Sequence, residues 1–293
     1  MILLTGVLAL AATPPIVSAV LESFKSGSDA QALAMLASYR TSQGVTPEYL
    51  EALSWVARAH FSSRNYPTAE KLAQEVYTNS QDQLKKRPLD REPHLPLALG
   101  ASIEVEGETL AATGRRSEAV TYLAQQGKLY SATSIAARIQ KNLLLLTLEG
   151  KPAPAVEGVA LPKGKPTLLF FWAHWCPDCK AEAPLLARLL GEYSSKGLTM
   201  IAPTQHYGYV AGGEDAPPAV ESAYIEQVRA KYYAGLITPA IAPVNEGNFT
   251  RYGASTTPTL VFVDRAGIVR TYHPGAMTYE ELRAAAQKVT EAK

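Results

Sequence analysis

Apolar residues recur at helical spacing through the first half of the chain, over residues 28–147. Thr46 and Pro47 predict one helix start, because a hydroxyl side chain can cap the first turn and proline is tolerated there. Pro67 and Ser117 mark further starts in the same pattern. The pattern therefore predicts an all-α region, with a periodic apolar face in each helix. Side chains expected to face inward in the first helices are Leu33, Leu36, Ala37, Leu50, Leu53, Ala57 and Phe61.

Two turns in this region resemble the turn of a tetratricopeptide repeat. They are "SRNYPTAEKLAQ" (residues 63–74) and "ATGRRSEAVTYLA" (residues 112–124), each a polar turn followed by alanine and inward-facing apolar residues. Their spacing is near 50 residues, whereas that repeat has a period of about 34. We interpret the region as an irregular, repeat-like array, with a plain helical bundle as the alternative.

The pattern changes after a proline-rich segment at residues 149–166, which we interpret as a linker running into an edge strand. Continuous apolar runs of about five residues now indicate buried strands, and longer amphipathic stretches indicate helices. The predicted order is βαβα followed by ββα. The strands are expected at 167–172, 198–202, 259–264 and 268–272, and the helices at 177–193, 219–233 and 278–289.

The first residues form a separate apolar segment, residues 2–12, which is followed by the small-x-small stretch Val17-Ser18-Ala19. An export signal with cleavage near residue 19 is the favoured interpretation. No Lys or Arg precedes the segment, so a buried first helix or an uncleaved anchor stays open. The predicted organisation is a signal peptide (1–19), an all-α domain (20–148), the linker or entry strand (149–166) and an α/β domain (167–293).

Composition narrows the possible functions. Of 293 residues, 47% are hydrophobic and 19% are charged, which is typical of a soluble globular protein. Lys and Arg number 28 against 27 acidic residues. This balance argues against nucleic acid as a partner, because no basic excess is available to replace counterions. Two cysteines are too few for a dense disulfide framework.

Both cysteines, Cys176 and Cys179, lie where a predicted strand ends and a helix begins. The Cys176 sulfur would face unpaired backbone N–H groups and the positive end of the helix dipole, so its pKa should lie below the ~8.5 of free cysteine. Pro177 is tolerated in the first turn, while the negative charge of Asp178 opposes thiolate formation. Cys179 lies one turn further on and is expected to be the buried partner. A redox pair, half of a metal site and an inert structural disulfide are all compatible with this spacing.

This order of elements resembles the thioredoxin fold. The resemblance covers the chain from Gly150 onwards and is carried by "GKPAP" (150–154), "FFWAHWCPDC" (170–179) and "TTPTLVFVDRAG" (256–267). The proline-rich entry and the long insert before Pro258 are most similar to the TlpA/ResA group of exported thiol-disulfide oxidoreductases. The resemblance implies a central mixed sheet flanked by helices and an enzyme without a cofactor. Its partners would be protein dithiols or disulfides, with a membrane thiol donor as a further candidate.

The resemblance also implies roles for single residues. Cys176 would attack a substrate disulfide and Cys179 would resolve the mixed disulfide. Pro258 would follow a cis peptide bond, so that Thr257 offers backbone hydrogen bonds to an extended substrate segment. Trp175 would shape the docking surface. Thioredoxins carry a buried acid six residues before the first cysteine, whereas this chain has Phe170 there.

Several residues are weaker candidates. Glu226 and Glu246 are candidates for the functional glutamate that ResA-like proteins carry in their insert. His174 is close to Cys176 in sequence but is expected to be solvated at the rim of the site. His206 follows a strand end, where sites in open α/β sheets gather. It lies in a long loop at residues 205–218, which either covers the active face or is an irregular insertion.

The favoured function is a thiol-disulfide oxidoreductase, exported or anchored outside the cytoplasm, that acts as a reductase. Its helical domain would dock a partner protein or dimerise. A copper(I) carrier that uses the cysteine pair is one alternative. One CxxC supplies too few ligands for a structural zinc site, so no such site is expected. A helical scaffold with a vestigial redox domain is the other alternative.

Overall fold

The computed structural model describes residues 15–25 and 29–292. Contacts between Cα atoms divide the chain into two compact units, one up to Thr109 and one from Leu110 onwards. The first unit is helical. Its helices are α1 (Ile16–Lys25), α2 (Asp29–Gln43), α3 (Pro47–Ser62), α4 (Tyr66–Leu84) and α5 (Leu95–Ala112), the last of which runs across the division.

Local sequence signals set the helix ends in the first unit. Thr46 caps α3, because its Oγ1 accepts a hydrogen bond from the Tyr49 backbone N–H at 3.1 Å. The predicted inward face of α2 is partly wrong. Leu36 is buried, but Leu33 and Ala37 are exposed, and Ala32 is the buried residue one turn before Leu36. The apolar face is therefore narrower than the count of apolar residues indicates.

Small side chains allow α3 and α4 to approach closely. Ala57, Ala69 and Ala73 are buried and form one cluster with Val105. The turn at residues 63–65 joins the two helices, as the sequence pattern predicts. The relationship to tetratricopeptide repeats stays a prediction.

The second unit contains a four-stranded sheet and its flanking helices. The strands are β1 (Thr167–Phe171), β2 (Thr199–Ile201), β3 (Thr259–Val263) and β4 (Val269–Pro274). The helices are α6 (Arg116–Leu129), α7 (Ala136–Thr147), α8 (Pro177–Tyr193), α9 (Pro218–Tyr232), α10 (Glu246–Tyr252) and α11 (Tyr279–Glu291).

The sheet has the strand order β2-β1-β3-β4. β1 pairs in parallel with β2 and antiparallel with β3, and β3 pairs antiparallel with β4. Alternate residues of β1 enter different cores. Leu168 and Phe170 pack in the core that also contains Leu186 and Leu282, while Leu169 and Phe171 pack in the opposite core. This mixed sheet between helices, after an all-α region, confirms the predicted fold class.

Helix α10 lies in the long insert between β2 and Pro258 and was not expected from the sequence. It packs against α7. Gly253 ends α10 with a φ of +59°, a conformation that favours glycine. A Cβ atom at this position would lie 2.3 Å from the Lys141 backbone nitrogen, so the close approach of the two helices requires glycine. This contact helps to explain why α6 and α7 group with the sheet, whereas the sequence places the domain boundary near residue 148.

The predicted export signal lies mostly outside the described residues. Its cleavage stretch at residues 17–19 falls within α1, where Ile16 and Val20 are buried. None of the helices in the described ranges is long and apolar enough to cross a lipid bilayer.

Candidate active site

The two cysteines form a disulfide bond at the start of α8, with their Cα atoms 5.4 Å apart. Cys176 is the N-cap of α8, and its Sγ accepts a hydrogen bond from the Cys179 backbone N–H at 3.0 Å. Pro177 occupies the first helical position, where its missing N–H has no partner to lose. The same amide would stabilise a negative charge on Sγ after reduction.

Both sulfurs are enclosed in the oxidised form. Cys176 is 1% exposed and Cys179 is 0% exposed, so the predicted contrast between a reachable and a buried cysteine is absent in this state. Cys176 Sγ lies 3.5 Å from the Thr257 carbonyl oxygen. The Thr257 carbonyl group is therefore in direct contact with the sulfur at the start of α8.

The surroundings of Cys176 match several positions singled out in the sequence. The Thr257–Pro258 peptide bond is cis, and the Pro258 carbonyl oxygen accepts a hydrogen bond from the Gly275 backbone N–H at 2.8 Å. Trp175 is 43% exposed, which makes it one of the large apolar side chains that remain at the surface. It packs edge-on against Tyr207, with ring centroids 5.5 Å apart. An exposed aromatic side chain, Trp175, and the backbone carbonyl of Thr257 thus lie beside the cysteine pair.

Glu182 is a buried carboxyl group that sequence analysis missed. It lies three residues after Cys179 on the same face of α8 and is 2% exposed. Its Oε1 accepts a hydrogen bond from the Met277 backbone N–H at 2.9 Å, whereas Oε2 has no partner among the described residues. Burial raises the pKa of Glu182 to about 7. A carboxyl group with this pKa can exchange a proton near neutral pH.

A sequence signal for Glu182 exists. Cys179, Glu182, Leu186 and Leu189 recur at spacings of three and four residues, so the carboxyl lies on the apolar stripe of α8. A charged side chain on such a stripe is unusual, because burying an unpaired charge is costly.

His174 is fully buried, so the expectation of a solvated rim histidine is wrong. Its Nε2 lies 3.0 Å from Glu221 Oε1, and three tyrosine rings meet the imidazole edge-on. Burial lowers the pKa of His174, although the Glu221 carboxylate opposes that shift. A neutral ring then donates its Nε2–H to Glu221, and Nδ1 is left without a partner among the described residues.

Glu221 of α9 joins the loop at residues 205–218 to His174, which lies two residues before Cys176. Its carboxylate accepts hydrogen bonds from the backbone N–H groups of Tyr207 (2.5 Å) and Gly208 (2.9 Å) as well as from His174. Burial would raise the pKa of Glu221, but these hydrogen bonds outweigh it and hold the pKa below its ordinary value. The loop is thus fixed against the active face, where the ring of Tyr207 packs against the ring of Trp175.

The remaining candidates lie in different surroundings. His206 is exposed, and its Nε2 lies 2.7 Å from Ser222 Oγ on α9. Glu226 is paired with Arg229 at the surface, whereas Glu246 lines a cleft that also contains Trp175. The structure also places Asp178 at the surface, in the first turn of α8, and Phe170 in the core.

A thioredoxin-like sheet with a redox-capable cysteine pair at the start of α8 defines the class of thiol-disulfide oxidoreductases. Residues 155–290 match the thioredoxin-like domain family. The chain is 30% identical over 138 residues to the thioredoxin-like protein YneN of Bacillus subtilis, covering 47% of this chain and 71% of that protein. It is 28% identical over 149 residues to the thiol-disulfide oxidoreductase ResA of Bacillus anthracis, covering 51% of this chain and 75% of that protein. The chain therefore belongs to the thioredoxin-like family.

Proposed function

We propose that the protein reduces disulfide bonds in other proteins outside the cytoplasm, with Cys176 as the attacking sulfur. The observation that carries this proposal is the position of Cys176 Sγ, which accepts the Cys179 amide at the start of α8. This hydrogen bond and the helix dipole both favour the thiolate, which is the reactive form of cysteine.

The reaction transfers two electrons in two exchange steps. The Cys176 thiolate attacks one sulfur of the substrate disulfide, and the other substrate sulfur leaves as a thiolate that takes a proton from water. The Cys179 thiolate then attacks Cys176 Sγ in the mixed disulfide. The second substrate sulfur leaves, and the Cys176–Cys179 disulfide observed here is formed. A thiol donor must then reduce the protein for the next cycle.

Glu182 is proposed to accept the proton that Cys179 loses before the second step. It lies one helical turn from Cys179 and shares its buried face, and burial raises its pKa to about 7. In this chain it would take the role of the acid that Phe170 replaces. Neither Glu226 nor Glu246 is needed for this step.

Thr257 and Trp175 are proposed to hold the substrate next to Cys176. The Thr257 carbonyl oxygen lies against Cys176 Sγ, so an extended substrate segment that pairs with this backbone would place its own sulfur nearby. Trp175 would cover the apolar side of that segment.

The location outside the cytoplasm rests on the apolar run at residues 2–12 and the cleavage-like stretch at 17–19. A membrane thiol donor, which the resemblance to the TlpA/ResA group implies, and a partner protein that docks on the helical region belong to the same proposal.

The direction of electron flow is tested by the reduction potential of the cysteine pair. Asp178 disfavours the thiolate by its negative charge, which stabilises the disulfide relative to the dithiol. We therefore expect a potential near the ~ −270 mV of thioredoxin when the protein is equilibrated with thiol buffers of graded potential. Asp178→Asn should shift the potential to a less negative value. A potential near ~ −120 mV, typical of a strong oxidant, would contradict the reductase assignment.

A further inference from the structure

A cleft of about 270 Å³ opens beside the cysteine pair. Trp175 and Thr257, which flank Cys176, both line it. The cleft is thus continuous with the surface on which a substrate segment would lie. Its volume suits one long side chain.

The two walls of the cleft come from different parts of the second unit. Thr133, Ser134 and Ala137, at the junction of α6 and α7, form one wall. Glu246 and Phe249 of α10 lie on the other wall. The close packing at Gly253 holds α7 and α10 together, so the cleft is part of the folded unit.

The lining of the cleft carries one acidic side chain. Glu246 is exposed and is the one charged residue among the described residues that line the cleft. Trp175, which is 43% exposed, gives the same lining an accessible aromatic side chain.

We propose that this cleft binds a basic side chain, Lys or Arg, of the substrate protein close to its reacting cysteine. An ammonium or guanidinium group offers only donors and carries a positive charge, which complements the exposed Glu246 carboxylate. The apolar stem of the same side chain packs against the exposed ring of Trp175. The proposal rests on the proposed function, because the occupant is part of the protein whose disulfide is exchanged.

The test uses short peptides with one cysteine in a mixed disulfide with neutral 2-mercaptoethanol. Each of the three positions on either side of the cysteine carries Lys, Gln or Glu in turn. At one or more positions we expect the reduced wild-type protein to react with the Lys peptide about fivefold faster, as kcat/KM, than with the Glu peptide. Added salt should reduce this ratio, since the interaction is electrostatic.

Variants locate the preference in the cleft. Glu246→Gln should bring the Lys-to-Glu ratio close to one, and Glu246→Lys should invert it. Glu280→Gln is the matched control, because Glu280 is also an exposed glutamate in the first turn of a helix but does not line the cleft. It should keep the wild-type ratio. A charge preference that persists in Glu246→Gln, or the absence of a preference at every position, would overturn the proposal.

Binding without chemistry separates this proposal from the proposed function. Peptides with Ser in place of Cys are titrated into the wild-type protein and followed by tryptophan fluorescence. The Lys peptide should bind about fivefold tighter than the Glu peptide, and Ala137→Leu, which narrows the cleft without disfavouring the helix, should weaken that binding. Unchanged binding in Ala137→Leu would overturn the cleft assignment. Failure of all disulfide peptides to react, with this binding preference intact, would contradict the proposed function alone.

Discussion

Cys176→Ser is expected to abolish disulfide exchange, with a fall in rate on the order of a thousandfold or more. The reason is that Cys176 Sγ is the atom that accepts the α8 amide, so its removal leaves no activated sulfur. Insulin reduction, followed by turbidity in the presence of dithiothreitol, measures the rate.

Cys179→Ser is the matched variant for that experiment. It keeps the attacking sulfur but lacks the resolving one, so the first step still occurs and a mixed disulfide with the substrate accumulates. Intact mass spectrometry without reductant should detect this adduct in Cys179→Ser and not in Cys176→Ser. The reverse pattern would show that the two sulfurs have been assigned the wrong roles. Equal, negligible rates for the wild-type protein and Cys176→Ser would favour the scaffold alternative.

Glu182→Gln is expected to change the pH dependence of both stability and activity. Burial raises the pKa of Glu182 from the ordinary 4.5 to about 7, so the folded protein holds this proton where the unfolded chain has lost it. The folded state therefore binds more protons between these pH values, and stability falls as pH rises from about 4.5 to about 7. The fall attributable to this one group is roughly 3 kcal/mol.

Urea unfolding of the oxidised protein at pH 4 and pH 8 measures this effect. The wild-type protein should lose stability from pH 4 to pH 8, whereas Glu182→Gln should lose less, because glutamine has no charge to bury. Glu280→Gln, which alters an exposed carboxylate, should follow the wild type at both. In the reduced protein, the rate of the second exchange step should lose an inflection near pH 7 in Glu182→Gln. If Glu182→Gln and the wild-type protein lose the same free energy of unfolding from pH 4 to pH 8, Glu182 is not a buried group with a raised pKa.

Local signals account for the parts of the fold that could be predicted. β1 and β3 are short apolar runs that are fully buried, and α8 begins at Pro177, as predicted. Cys176 is found as the N-cap because the strand end and the proline mark the start of the helix. The order of strands and helices follows from the same alternation of patterns.

The parts that were missed depend on contacts between distant segments. His174 is buried because Glu221, 47 residues later, supplies a partner for its ring. Helix α10 is short, and its packing on α7 depends on Gly253, which marks only a helix end in the sequence. Leu33 is apolar but exposed, since one turn of helix cannot show which apolar residues face the core. Each of these features is set by tertiary packing and leaves little local pattern.

Ionisation of Cys176 at the start of α8 is the property on which the enzyme activity depends most directly. The reduced protein, treated with less than one equivalent of iodoacetamide across a range of pH, gives the labelling rate of each cysteine by peptide mass spectrometry. We expect Cys176 to be labelled first, with a midpoint below the ~8.5 of a free cysteine. Labelling of Cys179 first, or a midpoint for Cys176 at or above that of free cysteine, would contradict the account.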